Sequence, residues 1–293
     1  MQTVIFGPFI GELGWEVVWW QGWVMKMCRG LYIDAHKIAV STPGHKCLYP
    51  YVDEWWPLDF GAISRRNYVT DDWGRLAPRV KEWIEHHGKG AHAIYCPSFP
   101  CKAPDGLRFG ASADGVHAAR IPLSHQLLER IRPDPYGEAA VNRWIGPEAR
   151  FVALFPRARK IRRPDKNWPK EKYDALIPML QEAFPGRALA IMGDPAGAYY
   201  ADGVPKGCLD CINIPDRLNV QAAILSRADL ALGSYSGALL FAMACGTPSV
   251  IWGPSSCYPL YRDQNYLKTK MAYLNDPQPT PGRVMEAIQC ASS

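Results

Sequence analysis

The chain of 293 residues is 48% hydrophobic and 21% charged, the balance of a soluble globular protein long enough for two domains, which excludes a low-complexity or disordered chain. No apolar run reaches membrane-spanning length, and the opening MQTVIFGPFIGELGWEVVWW lacks a basic leader and carries Glu12 and Glu16, so it reads as a first strand and helix and not as an export signal. A net charge of +5 mildly favours an anionic partner, and nine scattered cysteines, an odd number, point to free thiols in a reducing cytoplasm.

In chain order, Thr3 to Phe6 is a short strand that enters the loop GPFIGELG. Trp15 to Cys28 then fits a helix with Trp15, Trp19, Gly22 and Trp23 on one face. Glu12 therefore lies at the carboxyl end of the first strand and Glu16 in the first helical turn. Lys37 to Ser41 reads as a second strand, and Asp53 to Pro57 as an acidic, aromatic turn. Arg65 and Arg66 with Tyr68 form a small basic-aromatic patch. Arg79 to His87 fits a helix and Ala91 to Tyr95 a strand. A long loop rich in Pro, Gly and Ser follows from Cys96, placed to meet an acceptor. Ser124 to Ile131 reads as a helix capped by Ser124, and Arg132 to Gly137 as the linker.

The second half is more regular. Strands are expected at Arg150–Phe155, Ala188–Met192, Cys211–Ile214, Leu230–Leu232 and Ser249–Trp252. Helices are expected at Lys170–Phe184, Leu218–Ser226 and Ala238–Cys245. Strand and helix alternate, which argues a parallel sheet covered on both faces. The domains are 1–135 and 136–280, and a last helix within 281–293 is set to pack back on the first domain.

Two features of the second half carry chemistry. The loop RARKIRRPDKNWP after the strand ending at Phe155 supplies Arg157, Arg159 and Lys166. The small turn Ser234-Tyr235-Ser236-Gly237 opens a helix, whose N-terminal N–H groups suit an anion. Gly193 and Asp194 end another strand of the same sheet. Together they read as a diphosphate clamp of cations and backbone donors. There is no Walker loop and no G-x-G-x-x-G, which disfavours an ordinary NTPase or dinucleotide enzyme. Nor does any D-x-D or His/carboxylate cluster require a metal. Cys208 and Cys211 form the one C-x-x-C, and with Cys96 and Cys101 they could formally make four zinc ligands; buried thiols are the plainer reading.

The stretch from Phe155 to Trp252 resembles the bacterial heptosyltransferase family. The likeness lies in Pro156, Lys166-x-Trp168-Pro169, Gly193, Ser236-Gly237, Ala242-x-Ala244 and Gly246-x-Pro248, in that order. It implies an α/β fold of two facing Rossmann-like domains, the glycosyltransferase B-type fold, with the active site in the interdomain cleft. It also implies a nucleotide-sugar co-substrate, no cofactor or metal, donor phosphate contacts from Lys166, Ser236 and Gly237, and a catalytic base at the position of Glu12. Where the family has Asp before Ser-Gly and His three residues after that Gly, this chain has Tyr235 and Leu240. Arg157 and Arg159 resemble the arginines of fucosyltransferase donor loops.

The expected enzyme is an inverting, metal-independent hexosyl- or pentosyltransferase in the cytoplasm, the host's if phage-encoded. Glu12 or Glu16 is the general base that takes the acceptor proton. Trp15, Arg65 and Arg66 bind the acceptor. The opening GPFIGELGWEVVWWQG is similar to glycosyltransferase-like proteins carried by phages, which suggests a hydroxymethylated base in DNA as the acceptor. The rival acceptor is a bacterial surface glycan or its lipid-linked precursor. A nucleotide-sugar epimerase and a non-catalytic nucleic-acid-binding module are the readings from other classes. No obligate protein partner is implied.

Overall fold

The computed structural model describes residues 1–58, 73–110, 120–160 and 163–292. The chain divides into two compact units, Met1–Glu129 and Arg130–Ser293. Each is built on a parallel sheet, the α/β architecture that alternating strands and helices dictate.

The first unit runs β1 (Thr3–Phe6), α1 (13–29), β2 (His36–Ser41), β3 (Glu54–Pro57), α2 (Trp73–His87) and β4 (Ala93–Tyr95). Its four strands are parallel in the order β3-β2-β1-β4. The expected turn at Asp53–Pro57 is instead an edge strand. Trp55 and Trp56 suit a pleated, half-buried surface, and Pro57 is tolerated because it ends a strand with no further neighbour among the described residues. The middle of α1, Glu16–Trp20, is a wholly buried π-helical turn. Aromatic rings fix that helix to the sheet: Trp23 meets Phe6 edge-on at 6.0 Å and Trp20 stacks on Phe9 at 6.1 Å.

Beyond β4 a short antiparallel pair, β5 (Cys101–Lys102) and β6 (Arg108–Phe109), occupies part of the long Pro/Gly loop. Asp105 at its tip accepts from Trp23 Nε1 and bonds His125 Nδ1, both at 3.0 Å. The helix expected over Ser124–Ile131 is not formed; there is one 3-10 turn, Leu123–His125, and then extended chain. Tertiary hydrogen bonds override local propensity here. The Leu127 N–H goes to Gly22 O at 2.8 Å, and the Gln126 amide to Ile121 O at 2.8 Å.

The second unit begins earlier than its expected start at 136. The Pro-Asp-Pro run is no linker but the opening of α3 (Pro135–Ile145): Asp134 caps it, accepting from the N–H groups of Tyr136 at 2.9 Å and Gly137 at 3.1 Å, with Pro135 just inside. There follow β7 (Phe151–Phe155), α4 (Lys170–Ala183), β8 (Ala188–Met192), β9 (Cys208–Cys211), α5 (Arg217–Ser226), β10 (Ala228–Ser234), α6 (Gly237–Ala244), β11 (Ser249–Trp252), α7 (Tyr258–Gln264), β12 (Met271–Leu274) and α8 (Pro281–Ser292). The six strands are parallel in the order β12-β11-β10-β7-β8-β9. β9 lies earlier than expected, because Asp210 turns the chain after Cys211 by accepting from the N–H groups of Ile212 and Asn213. α7 and β12 were not expected from the sequence.

Trp168, Tyr173, Leu176 and Leu180 build the core of this unit with Trp252 and the central strands. Val284, Ala287 and Ile288 of α8 join the same core. The apolar face of this last helix is thus filled within the second unit. Each such fully buried large side chain contributes about 1.5–3 kcal/mol of transfer free energy. Among the described residues, no helix is long and apolar enough to cross a membrane.

Candidate functional site

In the second sheet the strand order reverses between β7 and β10: the chain adds β8 and β9 on one side and β11 and β12 on the other. Ligands of open α/β sheets bind outside the carboxyl ends of the strands at such a point. The basic loop leaves the end of β7 and the Ser234–Gly237 turn leaves the end of β10, so both features expected to bind the donor flank the switch. They also touch. Lys166 Nζ lies 4.4 Å from the centroid of the Tyr235 ring, a cation–π contact on a side chain only 5% exposed.

The basic loop is braced from within. Asn167 Oδ1 accepts from Arg157 Nη1 at 2.5 Å and from the Arg159 N–H at 3.1 Å, and its amide donates to Arg159 O at 2.8 Å. Arg157 Nη1 also reaches Arg163 O at 2.9 Å. Part of the Arg157 guanidinium is thus spent on shaping the loop, a role the sequence did not suggest. Arg163, at φ +52, pairs with Asp165 at 2.9 Å, and that bond raises its pKa while holding Asp165 below the usual carboxylate range; its side chain also interacts with the Tyr235 hydroxyl. Trp168 then anchors the loop's end: it is fully buried and donates from Nε1 to Pro279 O at 2.9 Å. Asn167 was missed because a lone amide among cations carries no distinctive spacing.

The β10 turn is equally constrained. The Tyr235 N–H bonds Trp252 O at 2.9 Å, and Tyr261 OH donates to Ser236 O at 3.0 Å. A Cβ on Gly253 would come within 2.6 Å of the Tyr235 ring, so only glycine leaves that ring its place. Ser236 is the N-cap of α6 but makes no side-chain capping bond, and it is half-buried with Gly237. Ser234 is 1% exposed, and its hydroxyl lies inside the sheet's end. Burial raises the Tyr235 hydroxyl, which remains neutral at ordinary pH.

Gly193 takes φ +140, and its carbonyl accepts from Gln221 Nε2 at 2.9 Å. Asp194 accepts from the Ala196 N–H at 2.9 Å and forms an ion pair with Arg217. The pair neutralises a carboxylate that would otherwise repel an anion at the same sheet edge.

In the first unit Glu12 and Glu16 separate sharply. Glu12 is the half-buried N-cap of α1, in the loop after β1, and its side chain makes no capping bond. Glu16, one turn on, is 0% exposed. Its Oε1 accepts from Tyr49 OH at 2.6 Å, and its Oε2 bonds His45 Nδ1 at 2.6 Å. Burial, with Glu16 adding to it, pushes the Tyr49 hydroxyl well up. Glu16 is therefore sealed from solvent in this structure, whereas Glu12 is not. Trp15 is half-buried and stacks face to face on Trp19 at 4.6 Å. Arg65 and Arg66 lie outside the described residues.

Cys208 and Cys211 belong to β9 of the second unit, whereas Cys96 and Cys101 belong to the first. Burial pushes the Cys96 thiol up to about 12. Among the described residues no group of three or more His, Cys, Asp or Glu is placed to hold a metal ion.

Comparison with known proteins agrees with this architecture. The model of "Glycosyltransferase family 9 (heptosyltransferase)" matches residues 128–286, almost all of the second unit. No curated protein sequence matches the chain. Among solved structures, Escherichia coli ADP-heptose LPS heptosyltransferase II is similar with a TM-score of 0.62 at 15% identity, covering 99% of this chain and 98% of that one. A family 9 glycosyltransferase of Veillonella parvula is similar with a TM-score of 0.57 at 13% identity, covering 99% and 96%. E. coli heptosyltransferase WaaC with ADP gives 0.52 at 16% identity, covering 99% and 100%. At these identities the likeness carries the fold: two α/β units with parallel sheets, the glycosyltransferase B-type fold.

Proposed function

The chain belongs to glycosyltransferase family 9 (heptosyltransferase), and on that premise we propose that it moves a sugar from a nucleotide-sugar donor, bound by the second unit, to a hydroxyl of a bacterial surface glycan of the lipopolysaccharide type. The observation that carries the donor half is the contact of Lys166 with the Tyr235 ring, which joins the basic loop to the start of α6 at the switch point. Family membership supports the surface-glycan acceptor over the hydroxymethylated DNA base, for which neither the matched region nor the similar structures offer support.

In this reading the donor diphosphate lies against Lys166, Arg159 and Arg157, with the N–H groups at the start of α6 beneath it. These cations and dipoles stabilise the charge that grows as the anomeric carbon–oxygen bond breaks. Glu12 accepts the proton of the acceptor hydroxyl while the oxygen of that hydroxyl bonds the anomeric carbon. The nucleoside diphosphate departs with the bonding electron pair. Direct displacement inverts the anomeric centre. The loop and helix supply the neutralising charge without a metal, so a chelator should leave turnover unchanged. Tyr235 and Leu240 stand where the family has Asp and His, so the nucleotide is gripped by different contacts.

The test offers ADP-heptose, the donor in the name of the similar E. coli enzyme, and a panel of other nucleotide sugars to the protein with two acceptors. One is lipopolysaccharide truncated in its inner core; the other is duplex DNA containing hydroxymethylated bases. Mass spectrometry should find one added sugar on the glycan. Transfer to DNA alone, or an altered sugar nucleotide formed without any acceptor, overturns the proposal.

A further inference from the structure

Glu16 is fully buried, yet it is a carboxylate that spends both oxygens on only two partners, Tyr49 and His45. Pinning a loop to a helix needs no charge; a neutral amide would do it without the cost of removing a carboxylate from water. What a carboxylate does beyond pinning is fix an imidazole. Accepting at Oε2, it holds the hydrogen of His45 on Nδ1, so that the lone pair stands on Nε2. The His45 side chain is 14% exposed, and among the described residues its Nε2 has no hydrogen-bond partner.

The backbone also holds this ring in place. His45 closes a turn with its N–H on Thr42 O at 3.1 Å, and its own carbonyl accepts from the Leu48 N–H at 3.0 Å. The turn leaves the carboxyl end of β2. β2 pairs with β1, whose carboxyl-end loop carries Glu12. An oriented hydrogen-bond acceptor thus stands on the same sheet edge as the group assigned to the acceptor's proton.

We propose that His45 is an acceptor-binding residue whose Nε2 receives a hydrogen bond from a second hydroxyl of the acceptor sugar, and that Glu16 is the positioning residue that sets its tautomer. The inference rests on the glycosyl-transfer reading above. The sugar hydroxyl donates to Nε2, which orients the ring so that the reacting hydroxyl faces Glu12. No bond is made or broken at His45.

Two measurements test it. The first needs no acceptor: long-range proton–nitrogen NMR of the histidine-labelled protein at pH 8. It should show His45 with its hydrogen on Nδ1, and Glu16→Gln should lose that preference. A hydrogen on Nε2 in the wild type, or the same tautomer in Glu16→Gln, overturns the proposal. The second is kinetic, with truncated lipopolysaccharide and ADP-heptose. His45→Ala should raise the acceptor KM about tenfold, the loss of one oriented hydrogen bond, with kcat within threefold and donor affinity unchanged. His45→Gln, which retains an acceptor oxygen, should recover part of the loss. A fall in kcat at constant KM, or no change in either, overturns it. A wild-type protein that glycosylates no glycan defeats the surface-glycan reading instead, and the NMR result then decides this one alone.

Discussion

The carboxyl edges of the two sheets manage charge in opposite ways. In the first unit the charge is negative and graded by depth: Glu16 is sealed behind His45 and Tyr49, while Glu12 remains half-buried one turn earlier. In the second unit the charge is positive and kept near the surface, braced by neutral groups: the Asn167 amide, backbone carbonyls and the Tyr235 ring. A buried carboxylate must be hydrogen-bonded on every side, so it serves structure or acts through its partner. A cation braced near the surface suits an anionic ligand. The proposed function fits this contrast, with proton handling at one edge and anion binding at the other.

The comparison breaks most visibly at Glu12. Replacing it by Gln should leave the fold and donor affinity intact and lower kcat by about 10²–10⁴, the usual worth of a general base; kinetics beside donor calorimetry would separate the two effects. On the other edge, Lys166→Met should weaken donor binding by about 10- to 100-fold, the loss of one charge-assisted contact, with a fold unchanged by circular dichroism. Tyr235→Leu removes the ring under that lysine and should weaken the donor less, by roughly threefold to tenfold. Asp134→Ala touches neither edge. It should cost about 1 kcal/mol of stability through the lost cap of α3, read as a lower denaturation midpoint at unchanged turnover per folded molecule.

Much of the second unit was legible because its signals are local. The Leu230–Leu232 run, the small turn and the apolar helix that ends at Gly246 state a strand–turn–helix–strand unit by spacing alone, and the six-stranded parallel sheet contains it. The basic loop and the turn could be assigned to one edge because both follow strands. What failed depended on contacts distant in sequence. Ser124–Ile131 has helical composition, but Leu127 is drawn off by Gly22. Asp134 looked like part of a breaker because Pro, Asp and Pro mark helix starts as readily as linkers. The sequence places Glu12 in a loop and Glu16 in a helical turn, but the sealing of Glu16 depends on His45 and Tyr49, which arrive from beyond β2. The double duty of Arg157 likewise depends on Asn167, ten positions away.

The most direct test of the division between the two edges is calorimetric titration of the preferred nucleotide sugar into three proteins: wild type, Glu12→Gln and Lys166→Met. Donor affinity should be equal in wild type and Glu12→Gln and about 10- to 100-fold weaker in Lys166→Met. Loss of donor binding in Glu12→Gln, or its full retention in Lys166→Met, would contradict the assignment of the anion site to the second unit.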